Sequence, residues 1–506
     1  MTAKSQADNR HYVTIWRWHF YTGFFIAPFL IILAITGLGM VLTANIAGKE
    51  LDRTPVTVQA HVQPVALQAQ QAVKSVPHGE VVQYIAPRTA DTVAIFRVKS
   101  TDKANPIDNT VLVDPYTSQV VNSIPRNSNL YHTFDSFHGD MMLGKVGDYI
   151  METTAALTIL MILTGGYLWW HKRHSVKAML ILTARSKALA DNPNQKRTLF
   201  RTIHATLGSW IAVVLLFFCI TGMAWAGIWG GKMVQAWSQF PAGKWGVEPT
   251  PASVNPHQHH DPMMAMAKQP HIHGVDNADT PIPPTHGDVL NEGSKDVPWV
   301  LELTPMPQSG TLLGKDGIAD GTPITIDSVD KLARQLGFKG RYQLNLPKGD
   351  TGVWTLSQDS MSYDMQSPVA DRTVHIDRYS GKILADIRYQ DYNFFGKFMA
   401  VGIALHMGTL GLWSIIANVL FCLSVIAICV SGYLMWWQRR PLTANHQTSR
   451  LNPPASKAPS QIPWGLAMLL LVVAVIFPTA IIAIVVIGLL DWLVISRMPT
   501  LAKLLK

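Results

Sequence analysis

Cysteine and charged residues are scarce in this chain of 506 residues. Only 15% of the residues are charged, against about 25% in soluble domains. The three cysteines, Cys219, Cys422 and Cys429, all lie within long apolar stretches, and no CxxC or zinc-type spacing occurs. We therefore predict no disulfide-stapled external domain and interpret the cysteines as small apolar packing residues.

Nucleotide-binding motifs are also lacking. The chain has no GxGxxG with an acidic residue after it, no P-loop and no flavin motif. We therefore predict no nicotinamide domain of its own, so electrons for any redox role would come from a quinol or a cytoplasmic reductase. Carboxylates are nearly absent from the apolar stretches, which disfavours a metal transporter. Glu152 is the only acid well inside one, and it could carry protons, contact a cofactor or be a satisfied interfacial acid.

Long apolar stretches are what the chain has in abundance. A membrane-spanning helix needs about 20 apolar residues. Five stretches reach that length, near Phe20–Thr43, Tyr149–Trp170, Ile203–Trp229, Phe398–Trp437 and Pro463–Leu490. The pattern predicts a mainly α polytopic membrane protein.

Lysine and arginine indicate the orientation of these spans. They concentrate in the N-terminal segment, after the second stretch and after the fourth, and such segments lie in the cytoplasm. The formal net charge of +9 follows from this topology and does not indicate nucleic-acid binding. A single crossing by the fifth stretch would place Arg497, Lys503 and Lys506 outside, against the same rule.

The order of segments follows from these assignments. The alternating runs VAIFRVK and VWTLSQ and the helical pattern SVDKLARQLGF predict that the external loops are α+β domains. The predicted segments are 1–44 (cytoplasmic N-terminus and first span), 45–137 (external domain), 138–175 (second span), 176–202 (basic cytoplasmic loop), 203–229 (third span), 230–396 (external domain with a His/Met/Pro-rich insertion at 249–298), 397–440 (fourth span), 441–462 (cytoplasmic linker), 463–492 (fifth span) and 493–506 (tail).

The two halves of the chain repeat each other. The first and third spans share His-x3-Gly followed by Thr-Gly, with 17 residues from histidine to threonine in both (His19 and Thr36; His204 and Thr221). The second and fourth begin with FHGDMMLG and LHMGTLG and end with TGGYLWW and SGYLMWW. The loops repeat a DxY[ST] turn, in VLVDPYTSQVV and VHIDRYSGKIL. We infer a duplicated two-span unit.

Repeats of two spans run in the same direction and are related by an axis along the membrane normal. Equivalent residues then lie at equal depth, so His19 faces His204 near the cytoplasmic rim and His138 faces His406 near the outer rim. Two imidazoles suffice as axial ligands of a haem, which brings its own four nitrogens. Zinc or copper would need three or four protein ligands. The spacing therefore predicts a four-helix core that binds two haem b groups, with a fifth helix beside it.

Other residues are secondary candidates. Arg17 and Arg201, next to the inner histidines, could meet haem propionates or simply anchor the cytoplasmic rim. The small residues Gly23, Gly208, Gly139 and Gly408 could leave room for a macrocycle or serve ordinary helix packing. Neither His132 nor His171 has a counterpart in the other half, and each stays open as a replacement ligand. We expect His11, His61, His78 and His375 to lie on the surface.

The insertion carries a second candidate metal site. Imidazole suits Cu(II) and thioether suits Cu(I), so a mixed tract could hold copper, or iron, outside the membrane. A flexible linker with no metal remains the alternative. The tract contains Met263, Met264, Met266 and the histidines His257, His259, His260, His271, His273 and His286.

As a set, the H-x3-G…TG spans, the FHGDMMLG and LHMGTLG segments and the DxY[ST] turns resemble the PepSY-associated transmembrane family. These are bacterial iron-regulated proteins of the inner membrane, and the resemblance covers about Arg10 to Arg440. Some members are ferric-siderophore reductases that carry haem and pass electrons to iron chelates in the periplasm. The resemblance implies PepSY-like external domains, that activity, and haem ligation by His19, His138, His204 and His406.

The partners implied are membrane lipid, a ferric siderophore or other metal chelate, and a separate electron donor. Two other functions stay open. One is a non-catalytic PepSY sensor or inhibitor module on a membrane anchor, and the other is a copper-related periplasmic metal reductase or metal-handling protein. An absorption spectrum distinguishes a haem protein from a module without cofactor.

Overall fold

The computed structural model of the chain describes residues 3–173, 177, 180, 193–231, 284–291, 297–310, 314–439 and 464–489. The chain forms two compact units. The membrane unit comprises Met1–Gly39, Phe134–Lys232 and Ile416–Lys506, and the sheet unit comprises Met40–Thr133 and Met233–Ile415.

Long apolar helices dominate the membrane unit. Within the described residues, four helices are long and apolar enough to cross a membrane. This agrees with the prediction of a polytopic membrane protein. They are α1 (Ala3–Ile46), α4 (Lys145–Arg173), α5 (Pro193–Met223) and α9 (Leu412–Arg439).

Short helices precede the second and fourth spans. The sequence predicted continuous second and fourth spans, 138–175 and 397–440, each including its histidine, but His138 lies in α3 (Leu130–Asp140) and His406 in α8 (Phe394–Met407). The chain then breaks before α4 and α9. Gly144 and Gly411 have positive φ angles of 57° and 87°, which glycine adopts without steric cost. The break sets each histidine on a helix of its own, in the turn or two before that helix ends.

The predicted fifth span is divided into two helices. These are α10 (Trp464–Ile476) and α11 (Ala480–Leu489), and each is too short to cross a bilayer alone. Pro478 lies in the break, because proline lacks the N–H that would continue a helix. The hydropathy of the whole stretch hid this break from the sequence prediction.

The two helices fold back on each other as a hairpin. Leu466 near the start of α10 and Ile487 near the end of α11 belong to one apolar cluster with Trp18 of α1. Phe477, in the break, instead packs with Ala156 and Met223. The two ends of the segment therefore lie at the same end of the helix bundle, and the chain returns to the side from which it enters.

The sheet unit contains one antiparallel sheet of eight strands in the order β4-β3-β2-β1-β5-β6-β7-β8. The predicted helix near 328–338 is α7 (Ile326–Gln335), and α2 (Val65–Lys74) and α6 (His286–Leu290) are the other helices of this region. The strands are β1 (Gly79–Ile85), β2 (Ala94–Ser100), β3 (Asp108–Val113), β4 (Val120–Pro125), β5 (Gln343–Asn345), β6 (Val353–Gln358), β7 (Arg372–Asp377) and β8 (Ile383–Arg388).

This sheet corrects the prediction of two separate external domains. Strands β1–β4 come from the first loop and β5–β8 from the second, and β1 pairs with β5 across the middle. The Gln83 amide adds side-chain hydrogen bonds to Gln343 (3.0 Å) and Asn345 (2.8 Å). Separate domains would each leave one of these strands as an open edge. Pairing the two edges satisfies their backbone groups and joins both loops in one body.

A buried ion network also connects the two loops. Glu50 accepts hydrogen bonds from Arg97 (2.5 Å) and from Arg341, and Arg341 also binds Asp364. All four side chains are at most 5% exposed. Removing one partner would leave an uncompensated buried charge, at a cost of about 3–5 kcal/mol. The network therefore makes the joined sheet depend on both loops.

The two DxY[ST] turns are built alike. Asp114 Oδ1 accepts the backbone N–H of Tyr116 at 2.8 Å, and Asp377 Oδ1 accepts that of Tyr379 at the same distance. This is the hydrogen bond by which an aspartate stabilises a turn. Each tyrosine hydroxyl then donates to a backbone carbonyl in a distant loop.

Candidate functional site

The structure brings His19 and His204 together within the membrane unit. His19 lies on α1 and His204 on α5, both half-buried. Their ring centroids are 6.5 Å apart and their ring planes are nearly perpendicular, at 88°. The arrangement agrees with the inner pair that the sequence repeat predicts.

This separation fits two imidazoles on one metal. Imidazole–metal bonds are about 2 Å long, and the centre of a five-membered ring lies about 1.1 Å from its atoms, so opposed ligands have centroids about 6 Å apart. Directly stacked or hydrogen-bonded rings would be closer, as His286 and His375 are at 4.9 Å. Among the residues that the structure describes, no group of three His, Cys, Asp or Glu side chains could hold a metal ion. Two histidines fit a metal that brings its other ligands with it.

The hydrogen bond of His19 fixes which ring nitrogen carries the proton. His19 Nδ1 lies 3.0 Å from Thr164 Oγ1 of α4. The Thr164 hydroxyl donates to Leu160 O at 2.8 Å, and in that arrangement it accepts from the ring. Nδ1 is therefore protonated and Nε2 carries the lone pair.

His204 is oriented in the same way by α9. Its Nδ1 lies 3.1 Å from Ile428 O and 3.0 Å from Ser431 Oγ. A backbone carbonyl cannot donate, and the Ser431 hydroxyl donates to Ile428 O at 2.8 Å. Nδ1 is again the donor, which leaves the lone pair of this ring on Nε2 as well.

His138 of α3 makes the same kind of contact with residues of α1. Its Nδ1 lies 3.1 Å from both Leu33 O and Thr36 Oγ1, and the Thr36 hydroxyl donates to Ile32 O at 2.7 Å. His406 belongs to the sheet unit and lies on the last turn of α8, which ends at Gly408 with a positive φ of 73°. The predicted pairing of His138 with His406 rests on the sequence repeat.

Glycines next to these hydroxyls leave room for the rings. A Cβ atom added at Gly165 would lie 3.0 Å from His19 Cε1, and one at Gly37 would lie 3.2 Å from His138 Cε1. At Gly432 the nearest His204 atom is 3.6 Å away, an ordinary contact. Each ring thus packs against the glycine that follows its hydroxyl partner.

The small residues that the sequence singled out have different surroundings. Gly208 and Gly139 have no neighbouring atom within 4 Å of an added Cβ, so both border open space. Gly208 is half-buried, whereas Gly139 is exposed and borders the protein surface. An added Cβ at Gly23 would lie 2.8 Å from the Met161 methyl. Gly408 ends α8 in the left-handed conformation, which glycine adopts readily at the end of a helix.

The secondary candidates differ in burial and in their neighbours. Arg17 is buried and Arg201 is exposed. His171 lies between two tyrosines, with ring centroids 5.1 Å from Tyr12 and 6.1 Å from Tyr167. His132 is buried on α3 in the sheet unit, 5.6 Å from the Tyr131 ring.

Glu152 is a satisfied buried acid. Its Oε2 accepts the backbone N–H groups of Ile228 and Trp229, each at 3.2 Å, and its Oε1 accepts the Thr479 hydroxyl at 3.0 Å. These donors belong to the segment after α5 and to the break between α10 and α11. Of the three alternatives for this residue, the structure supports the satisfied acid, which anchors the tip of the hairpin to α4.

His375 does not lie on the surface, contrary to the prediction. It is fully buried in β7, and its Nε2 lies 2.9 Å from Nε2 of His286, which is also fully buried. His286 therefore belongs to the fold, although the sequence grouped it with the His/Met-rich tract. The tract's other histidines, His257, His259, His260, His271 and His273, lie outside the described residues. His61 and His78 are exposed as expected, and His11 is half-buried.

The hydroxyl partners of the histidines escaped the sequence prediction. Their signal was visible, because the Thr-Gly and Ser-Gly dipeptides stand in repeated positions. The sequence analysis used the dipeptides only as marks of the repeat and compared Thr36 and Thr221 with the histidine of their own helix. The structure pairs each hydroxyl with the histidine of a neighbouring helix.

The comparisons with known proteins agree with this architecture. A family model described as the PepSY-associated TM region matches residues 16–439. The match includes all four repeat-related histidines and both loops that form the sheet. No curated protein matches the chain.

Proposed function

The chain belongs to the PepSY-associated TM region family, and from that premise we propose that it is a di-haem b electron carrier that reduces a metal chelate in the periplasm. The observation that best supports this proposal is the proximity of the His19 and His204 rings. Two rings from different helices have centroids 6.5 Å apart, and the hydrogen bonds of Nδ1 leave the lone pair of each on Nε2. The duplicated unit and the outer pair, His138 with His406, are part of the proposal.

The residues of the inner site fit haem by their chemistry. The two neutral imidazoles of His19 and His204 would hold the haem iron, and the open space at Gly208 would leave room beside one of them. When bound, haem supplies an iron centre that takes up and releases one electron without covalent chemistry. The protein's part is to hold the two rings, fix their tautomers and keep the site inside the helix bundle. Buried Arg17, two residues from His19, would meet a propionate, with exposed Arg201 as the second candidate.

The proposed substrate is a ferric siderophore or a related chelate. Siderophore oxygen ligands are hard and hold Fe(III) more firmly than the softer Fe(II). One electron delivered to the complex therefore loosens the chelate and releases iron. The donor would be a quinol or a cytoplasmic reductase, because the chain lacks a nucleotide-binding motif. The proposed location is a bacterial inner membrane, with the N-terminus in the cytoplasm and the sheet unit in the periplasm.

An absorption spectrum tests the proposal directly. Protein purified from cells with adequate haem should show a Soret band, reducible b-type bands and a haem-to-protein ratio near two. Addition of a ferric siderophore to the reduced protein should reoxidise the bands. Protein without haem would instead favour the non-catalytic PepSY module, and a haem protein that reduces copper but no ferric chelate would favour the copper-related reductase.

The pairing makes a sharper test. His19→Ala and His204→Ala should each remove the same centre, and the double variant should resemble either single one. His138→Ala and His406→Ala should remove the other centre. Loss of one common centre in His19→Ala and His138→Ala would refute the pairing.

The His/Met-rich tract is proposed to gather copper or iron near the chelate site. Deleting 256–283 spares His286, which the fold needs, and should leave both haem spectra intact. Metal binding outside the membrane should fall. Unchanged binding would leave the tract as a linker.

A further inference from the structure

We infer that the dipeptides Thr36-Gly37, Thr164-Gly165 and Ser431-Gly432 are positioning elements that fix the metal-binding nitrogen of a histidine on a neighbouring helix. The metal-binding role in this inference rests on the proposed function. The geometry of the dipeptides is given by contacts within the membrane unit. Each dipeptide supplies a hydroxyl that accepts from Nδ1 and a glycine that makes space for the ring.

The hydroxyls can act only as acceptors toward the rings. Each is bound to a carbonyl of its own helix, at 2.7 Å for Thr36, 2.8 Å for Thr164 and 2.8 Å for Ser431. A serine or threonine hydroxyl has a single proton, so that proton is already used. The ring then donates from Nδ1. The opposite tautomer would require the hydroxyl to leave its carbonyl, and at His138 and His204 it would also set the Nδ1 lone pair against a backbone carbonyl 3.1 Å away. The helix carbonyl thus dictates the tautomer through the hydroxyl.

The glycines at Gly165 and Gly37 leave room for the histidine rings. Rings sit 3.0 Å from a Cβ built at Gly165 and 3.2 Å from one built at Gly37, both tighter than normal contacts. A side chain at either position would require the ring to shift. Ring clearance therefore accounts for the glycine at Gly165 and Gly37, whereas at Gly432 the 3.6 Å contact would admit a Cβ.

The element acts between helices, not within one. Thr36 shares α1 with His19 but binds His138, and His19 is held instead by Thr164 of α4. His204 on α5 is held by Ser431 of α9. Thr221 has the same committed hydroxyl, which donates to Phe217 O at 2.9 Å, and the sequence repeat makes it the counterpart of Thr36. Substitutions should therefore affect the centre of the neighbouring helix, which differs from the assignment by sequence proximity.

The consequence for a bound metal is electronic as well as geometric. Donation from Nδ1–H raises the basicity of the ligand nitrogen, and losing such a partner costs about 10- to 100-fold in metal affinity. A more basic ligand stabilises the ferric state. Removing the hydroxyl should therefore shift the midpoint potential of that centre to more positive values and weaken its haem retention.

The first experiment reads the tautomers without haem. The full-length protein, ¹⁵N-labelled at histidine and prepared haem-free in lipid bilayers, is examined by solid-state NMR. Single His→Gln variants assign the signals of His19, His138 and His204. We expect Nδ1 protonated and Nε2 bare in all three. A protonated Nε2 in any of them overturns the inference for that site, whether or not haem binds.

The second experiment reads potentials in the haem-loaded protein. Thr164→Val should shift the inner centre positively, because it removes the acceptor of His19 Nδ1. Ser431→Ala should shift the inner centre and Thr36→Val the other one by smaller amounts, because Ile428 O and Leu33 O remain 3.1 Å from Nδ1 of His204 and His138. Thr164→Ser keeps the hydroxyl and should keep the wild-type potential. Thr158→Val is the matched control, because Thr158 is buried on the same helix and its hydroxyl also bonds its own helix carbonyl, Thr154 O at 2.7 Å.

The outcomes separate this inference from the proposed function. Wild-type protein without haem would end the proposed function, and the NMR result would still decide the tautomers. Haem-loaded protein in which Thr164→Val and Thr158→Val have the same potentials would end the positioning role alone. A shift of the inner centre in Thr36→Val would show that the hydroxyl serves its own helix, which also refutes the inference.

Discussion

Acid should open the buried contact between His286 of α6 and His375 of β7. His286 Nδ1 lies 2.7 Å from Thr304 O, so it donates, and His286 Nε2 must accept from His375 Nε2. His375 Nδ1 then accepts from the Thr355 hydroxyl at 3.0 Å. Every nitrogen is used with both rings neutral. A further proton on His286 would set two N–H groups against each other at 2.9 Å.

The direction of the pH effect follows from the pKa values. Burial lowers the pKa of His286 to about 4, and burial together with the nearby His286 lowers that of His375 well below its ordinary value. An unfolded histidine has a pKa of about 6.5, so between pH 6.5 and 4 the opened state binds more protons than the closed one. Stability of the contact is therefore complete above about pH 6.5 and falls as the pH falls toward 4.

The magnitude comes from the same values. For one proton on His286, opening at pH 5 becomes easier than at pH 7.5 by about 2 kcal/mol, or about thirty-fold. The backbone N–H groups of His286 and Gly287 donate to Thr304 O and Glu302 O in the closed state. Their protection from hydrogen exchange, corrected for intrinsic rates, should fall by that factor in the full-length protein.

Two controls isolate the pair. A peptide over β3, Asp108–Val113, lies in the same sheet without a histidine and should keep its protection. The variant His286→Asn/His375→Gln has no titrating ring in the contact and should lose the pH dependence. Equal corrected protection of wild-type 286–287 at both pH values would refute the assignment of a neutral pair.

Three further outcomes follow from the membrane unit. Glu152→Ala removes the acceptor of three partly buried donors and should destabilise the protein by about 1–3 kcal/mol, seen as a lower midpoint in thermal unfolding in detergent. Asp148, whose Oδ2 accepts the Gly227 N–H at 2.9 Å, should tolerate Asn. An alkaline phosphatase fused after Lys506 should be inactive, because the α10–α11 hairpin returns the chain to the side from which it enters, which is the cytoplasmic side in the proposed orientation; an active fusion would restore a single crossing. Gly165→Ala should reduce the haem content of the inner centre, while Gly432→Ala, with its 3.6 Å contact, should retain it.

The parts of the fold that were predictable depend on local patterns. The four long spans, helix α7 and strands β2 and β6 follow from hydropathy and periodicity within one element. Thr325 caps α7 through a reciprocal bond with Ser328, and this places its start two residues before the predicted one. The facing of His19 and His204 was predictable because a repeat in sequence constrains depth in the membrane.

The parts that were missed depend on contacts between distant segments. The pairing of β1 with β5 joins residues about 260 positions apart, and nothing in either strand marks its partner. His375 escaped because β7 is buried on both faces from Thr373 to Asp377, so the strand lacks the alternation that would identify an inward residue. The break at Pro478 escaped because a hydropathy average ignores one proline.

The contacts of the inner histidine pair are divided between the two halves of the sequence. The proposed inner site would therefore need both halves. His19 and Thr164 come from the first half, and His204 and Ser431 come from the second. Orientation is thus completed within each half, while the opposition of the two rings at 6.5 Å exists only where the halves meet. One half alone would present an oriented imidazole with its lone pair on Nε2 and nothing opposite it. In the proposed bis-histidine site the second half would supply the ring that the first half lacks, and the joined β1–β5 sheet holds the connecting loops in one body.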